Sequence, residues 1–125
     1  MKRYRKVLVV DDNPHDLILI KELLQEEYWI KTVDSAMKAI QSLESESFDL
    51  VITDMCMPRM DGFALIDDIQ NQMPDLPVIM LSASLDEDTY KQRINKTGVS
   101  ACLYKPLEIN TFMNTIKGVL AKSHK

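Results

Sequence analysis

The chain has 125 residues, 46% hydrophobic and 27% charged, which fits one domain with one self-sufficient core spanning residues 1–125. Its 15 basic and 19 acidic side chains give a net charge of −4, the wrong sign for a groove that must neutralise phosphates, so no direct nucleic-acid contact is expected. No apolar stretch approaches the ~20 residues of a membrane span, and the run behind Lys2, Arg3, Arg5 and Lys6 stops at Asp11, too soon for an export signal; a soluble, cytoplasmic protein without membrane contact is expected.

Val7 to Val10 is a short β-branched run ending in acids, as suits a strand buried on both faces of a parallel sheet. Asn13 is placed to cap a helix whose first position is Pro14, with Leu17, Ile20, Leu23 and Leu24 recurring at helical spacing up to Glu27. Trp29 to Val33 reads as a second strand. Ser35 then caps a helix with Met37, Ile40 and Leu43 on one stripe, and Glu44 to Ser47 reads as exposed loop. A third strand, Leu50 to Thr53, runs into Asp54, and a loop leads through Gly62 into a helix bearing Phe63, Leu65, Ile66 and Ile69, with Pro74 marking its end. The fourth strand, Val78 to Leu81, is followed by Ser82. Asp86, Glu87 and Asp88 complement the positive end of a helix dipole and open a helix that closes near Gly98. A fifth strand, Ala101 to Tyr104, meets Lys105 and Pro106, and Ile109, Phe112, Met113, Ile116 and Leu120 line the last helix.

Strict alternation of strands and helices predicts an α/β fold: a five-stranded parallel sheet, doubly wound in the flavodoxin-like (βα)5 manner, with helices on both faces. In such sheets ligands sit outside the carboxyl ends of the strands. There the chain offers Asp11 and Asp12, then Asp54, Ser82 and Lys105. Singly, each has a bland explanation in turn or cap chemistry; together they describe a site. Carboxylates brought that close repel one another by on the order of 4 kcal/mol per pair at an effective dielectric near 20, so a positive charge must offset them. Oxygen-only donors favour a hard cation, magnesium (or manganese) rather than the fuller cage of calcium. No histidine or activated thiol joins them, which argues against acyl transfer and zinc hydrolysis and leaves phosphoryl transfer to a carboxylate.

The segment Asp54-Met55-Cys56-Met57-Pro58-Arg59-Met60-Asp61-Gly62 is similar to a known pattern of acceptor Asp, two variable positions, Met-Pro, one variable position, Met, acid and Gly. With the Asp pair, Ser82-Ala83 and Lys105-Pro106, it makes the chain resemble the receiver domains of bacterial response regulators over about residues 5 to 121. The resemblance implies that Asp54 is a phosphoacceptor and Asp12 a direct metal ligand, with Asp11 acting largely through water and the backbone carbonyl of Cys56 as a further ligand. Ser82 would donate a hydrogen bond to a phosphoryl oxygen, Lys105 would pair with Asp54 and then with the phosphate, and Pro106 would follow a cis peptide bond. It also implies a phosphodonor, a phosphohistidine on a sensor histidine kinase or phosphotransfer protein, and a downstream effector protein or domain. Such a chain is a phosphoacceptor that takes part in its own phosphorylation and dephosphorylation, not an enzyme.

Three features depart from the pattern or stand outside it. Cys102 occupies the position, three before the lysine, where many receivers carry an aromatic switch residue; Tyr104 shares its strand face by period-two geometry and is the candidate substitute. Output is expected from about residues 86 to 121, and the small side chains of Cys56 and Ser84 lie where the family tunes phosphate lifetime. The other side chains have plainer readings: His15 and His124 as surface residues, Cys56 and Cys102 as reduced thiols, and Met55, Met57 and Met60 as packing. Two alternatives differ in class. A haloacid-dehalogenase-type phosphatase needs a second aspartate two residues after its nucleophile, where Cys56 stands here, and a receiver-like adaptor would have no use for an intact set of acids.

Overall fold

The structure, a computed structural model, describes residues 4–54, 62–82 and 98–123. The loop from Met55 to Asp61 and the helix expected from Asp86 lie outside the described residues. Five strands, β1 (Arg5–Val10), β2 (Tyr28–Val33), β3 (Leu50–Asp54), β4 (Val78–Ser82) and β5 (Ala101–Tyr104), form one sheet in the order β2-β1-β3-β4-β5. Every pairing is parallel. The described helices are α1 (Pro14–Leu24), α2 (Ala36–Ser45), α3 (Gly62–Gln72) and α4 (Ile109–Ser123).

The apolar runs show no polar alternation because both faces of the sheet are covered. Leu8, Val10, Val51 and Met80 point into one core with Ala39 and Leu43 of α2 and Leu65, Ile66 and Ile69 of α3. Val7, Val9, Ile52, Ile79 and Leu81 point the other way, against Ile20 and Leu24 of α1 and Phe112, Ile116 and Leu120 of α4. This is the doubly wound α/β arrangement expected from the sequence. No helix among the described residues is long and apolar enough to cross a membrane.

The predicted elements need three corrections. Helix α1 stops at Leu24 and does not reach Glu27: the Glu27 N–H turns back onto the Leu24 carbonyl, and Tyr28 already pairs with Arg5 in the sheet. The buried stripe of α2 is Ala36, Ala39 and Leu43 with Ile40 beside it, while Met37 is 67% exposed. Two alanines there let the helix sit close to the sheet, which turns the longer Met37 outward. Glu44 and Ser45, expected in a loop, belong to the last turn of α2, which closes when the Glu46 N–H donates to Ser42.

The strand order sets the site. The chain leaves β1 toward β2 on one side and β3 lies on its other side, so connections diverge between the carboxyl ends of β1 and β3, the place where such sheets open a crevice.

Candidate functional site

Asp11 follows β1 directly. Its N–H donates to the Val33 carbonyl at 3.2 Å, which carries the ladder with β2 one residue further and fixes the Asp11 side chain in a fully buried position. One carboxylate oxygen, Oδ1, accepts the Asn13 N–H at 3.0 Å. Asn13 in turn caps α1, its Oδ1 accepting the His15 N–H at 2.9 Å, with Pro14 at the first helical position. A single tight turn thus ties the end of β1 to the start of α1, with Asp12 exposed between them.

Asp54 ends β3 and is only 8% exposed; Ser82 ends the neighbouring β4 and is fully buried. Beyond β5, the Lys105 N–H donates to the Ser82 carbonyl at 2.8 Å, so the β4–β5 ladder positions the lysine backbone. The Lys105–Pro106 peptide bond is cis, as the resemblance implied.

The side chains then converge. One carboxylate oxygen each from Asp11, Asp12 and Asp54 lies within 4.8 Å of the others. The Lys105 ammonium stands 2.9 Å from Asp11 Oδ2, 2.8 Å from Asp16 Oδ2 and 3.5 Å from Asp54 Oδ2. Burial by itself pulls the Lys105 ammonium below its ordinary value of 10.5, but hydrogen bonds to Asp16 and Asp11 and the charges of Asp11 and Asp54 overcome this and hold it well above that value. The lysine is therefore a fixed positive charge at neutral pH. At an effective dielectric near 20, two carboxylates 4.8 Å apart repel by about 3.5 kcal/mol. One ammonium shared among several acids leaves negative charge in excess, and a donor set made only of carboxylate oxygens fits a small hard cation such as Mg2+.

Asp11, Asp12, Asp54 and Lys105 are thus brought together, with Ser82 at the end of the adjacent strand. Cys56 and Ser84 lie outside the described residues. Cys102 and Tyr104 lie on β5 in register with Met80 and Ser82 of β4, and Cys102 packs against the core shared by α2 and α3. Burial raises the Cys102 thiol, an effect partly offset by its hydrogen bond with Tyr104, and burial likewise raises the Tyr104 phenol. Asp16 is the residue that sequence reasoning missed. It sits in the first turn of α1, and its sequence signal was only that of a helix-opening acid; nothing local links it to a lysine 89 residues away.

A parallel five-stranded sheet of this order, with acids after β1 and β3 and a lysine after β5, defines a receiver domain, and the sequence matches the family described as the response regulator receiver domain over residues 7–117. The chain belongs to that family, whose members are signalling switches and not classical enzymes. It is 40% identical over 121 residues to the two-component response regulator ARR10 of Arabidopsis thaliana, covering 94% of this chain and 22% of that protein. Among solved structures, the signal receiver domain of an HD domain-containing protein from Pseudomonas fluorescens Pf-5 superimposes with a TM-score of 0.90 at 28% identity, covering 98% of both chains. The chemotaxis protein CheY4 of Vibrio cholerae does so with a TM-score of 0.87 at 28% identity, covering 94% of this chain and 99% of that one. The chain spans only 22%, 17% and 27% of three of the curated relatives it matches, which come from plants and a bacterium alike.

Proposed function

We propose that the chain is a single receiver domain over residues 1–125 that acts, in the cytoplasm, as the phosphoacceptor switch of a two-component phosphorelay. Asp54 takes the phosphoryl group, and Asp11, Asp12 and Asp54, with the backbone carbonyl of Cys56, hold Mg2+ (or Mn2+). The observation that carries this reading is the convergence of three carboxylates within 4.8 Å beside a lysine 3.5 Å from Asp54.

In the transfer, a carboxylate oxygen of Asp54 forms a bond to phosphorus while the bond from phosphorus to the donor's imidazole nitrogen breaks. The electron pair of that bond leaves with the imidazole nitrogen, and the ring departs neutral because its other nitrogen carries a proton throughout. Little acid–base machinery is needed, because phosphoryl transfer depends on positioning and charge stabilisation. When bound, the cation supplies positive charge to the oxygens of the transferred group. Lys105 neutralises a further oxygen from the β5 side, and the Ser82 hydroxyl donates a hydrogen bond to another. The donor is a sensor histidine kinase or phosphotransfer protein and the recipient of the signal is an effector protein or domain, reached through a surface that includes β5 and α4. Cys102, Tyr104 and Pro106 lie on or next to that route.

Incubation with acetyl phosphate and Mg2+ tests the reading. The wild type gains one hydroxylamine-labile phosphoryl group and Asp54→Asn gains none. An unlabelled wild type would instead leave an adaptor that signals without phosphorylation, and steady hydrolysis of a small phosphate ester, lost in Asp54→Asn, would make the chain an enzyme.

A further inference from the structure

An ammonium group has three N–H donors, and Lys105 spreads them unequally. Asp16 Oδ2 at 2.8 Å and Asp11 Oδ2 at 2.9 Å are at the length of charge-assisted hydrogen bonds, whereas Asp54 Oδ2 lies further off at 3.5 Å. Asp11 belongs to the cluster of acids; Asp16 does not, and comes from a different element, the first turn of α1. We propose that Asp16 is a positioning residue that keeps the Lys105 ammonium drawn away from Asp54 until a phosphoryl group arrives, and that its release then signals phosphorylation to the start of α1.

Each half of this exchange has a physical basis. A phosphoryl group on Asp54 places a larger negative charge only a short side-chain movement from an ammonium already 3.5 Å away, so Lys105 transfers to it the donor now held by Asp16 without leaving Asp11. Asp16 is not stranded by the loss. Its side chain is 31% exposed to water, and a carboxylate in the first turn of a helix is favoured by the unpaired N–H groups and the dipole there. The pair is therefore strong enough to bias the lysine and weak enough to break. Because it must break before Lys105 can serve the incoming phosphoryl group, removing the Asp16 charge should speed phosphorylation. The tie that is lost is a partly exposed ion pair, of a kind whose removal changes rates by about 1.5- to 5-fold.

The inference rests on Asp54 being the phosphoacceptor, and the test separates the two. With 15N-lysine-labelled protein, the Lys105 ammonium resonance is assigned by its loss in Lys105→Arg. In wild type, beryllofluoride with Mg2+, a phosphoryl mimic on the acceptor carboxylate, should shift that resonance together with the backbone amides of His15, Asp16 and Leu17. In Asp16→Asn without beryllofluoride, the ammonium resonance should already lie nearer the mimic-bound wild-type position, and acetyl phosphate should label the protein about 1.5- to 5-fold faster. Asp16→Glu should restore the wild-type resonance and rate. A wild type that is labelled on Asp54 while its α1 amides ignore beryllofluoride, or an Asp16→Asn protein with an unchanged ammonium resonance and rate, would overturn the role of Asp16 alone. A wild type that takes no label would overturn both this role and the proposed function.

Discussion

Replacing Asp54 by asparagine should cost the metal-free protein almost nothing and remove most of its response to Mg2+. Asp54 lies 3.5 Å from the Lys105 ammonium, an attraction of about 5 kcal/mol at an effective dielectric near 20. Against it stand two carboxylates no further than 4.8 Å away, each repelling by about 3.5 kcal/mol on the same basis, with the contribution of exposed Asp12 reduced by solvent. These opposing terms nearly cancel, so Asp54→Asn in EDTA should lie within about 2 kcal/mol of wild type, on the stabilised side if anything. A cation changes the balance. At ten times its dissociation constant, bound Mg2+ adds about 1.4 kcal/mol, which for a domain of 125 residues raises Tm by about 5 °C. Thermal unfolding followed by circular dichroism with EDTA and then with Mg2+ at about ten times its titrated dissociation constant measures both. An Mg2+ shift equal in wild type and Asp54→Asn, or a metal-free loss above ~3 kcal/mol in the variant, would refute the electrostatic account of the site.

Four further outcomes are expected. Phe112→Ala empties a fully buried position between α4 and the sheet and should cost about 3–5 kcal/mol in urea unfolding; a loss under ~1.5 kcal/mol would mean that the core closes over the gap. Gly98 holds φ +73°, and a Cβ there would meet only the end of the Gln70 side chain at 3.0 Å, so Gly98→Ala should cost about 1–2 kcal/mol from backbone strain, measurable in the same titration. Hydrogen bonds from Lys31 and Lys6 hold the Glu46 carboxyl below its ordinary value of 4.5. Its folded-state value being depressed, the stabilisation is present above 4.5 and is lost as the pH falls through the lowered value, so Glu46→Gln should melt below wild type at neutral pH and converge with it in acid. Finally, burial raises the Cys102 thiol, so in a Cys56→Ser background iodoacetamide should react with it far more slowly at pH 8 than after unfolding in urea, followed by mass spectrometry; equal rates would contradict the packing of β5.

The strands were legible because parallel β-structure covered on both sides leaves an unbroken apolar run. Val7–Val10, Leu50–Thr53 and Val78–Leu81 could hardly be anything else between polar neighbours, and the bounds of Ala101–Tyr104 agree with those of β5. The place of the site followed from the same pattern, since Asp11, Asp12, Asp54, Ser82 and Lys105 each come at or just after a strand end; their roles came from the resemblance and not from the pattern. Helix limits and faces were harder to read. The spacing of Leu17, Ile20 and Leu24 does not say that Tyr28 will be claimed by the sheet, and hydrophobicity alone ranks Met37 above Ala36 and Ala39, although the alanines win the buried face by being small. Asp16 was illegible for a different reason: its partner is set by tertiary geometry, and one acid in a first turn resembles any other.

The link between Lys105 and Asp11 joins positions 94 residues apart. A growing chain therefore exposes its acids long before the lysine that balances them has been added, and no shorter segment contains a working version of the site. On the proposed reading, any event that keeps β5 from docking should leave Asp54 a poor acceptor, because Lys105 reaches Asp11 and Asp54 only from the end of that strand. Chemical labelling of Asp54 would then count the molecules that have finished folding, and an unfinished domain would be unable to send a false signal.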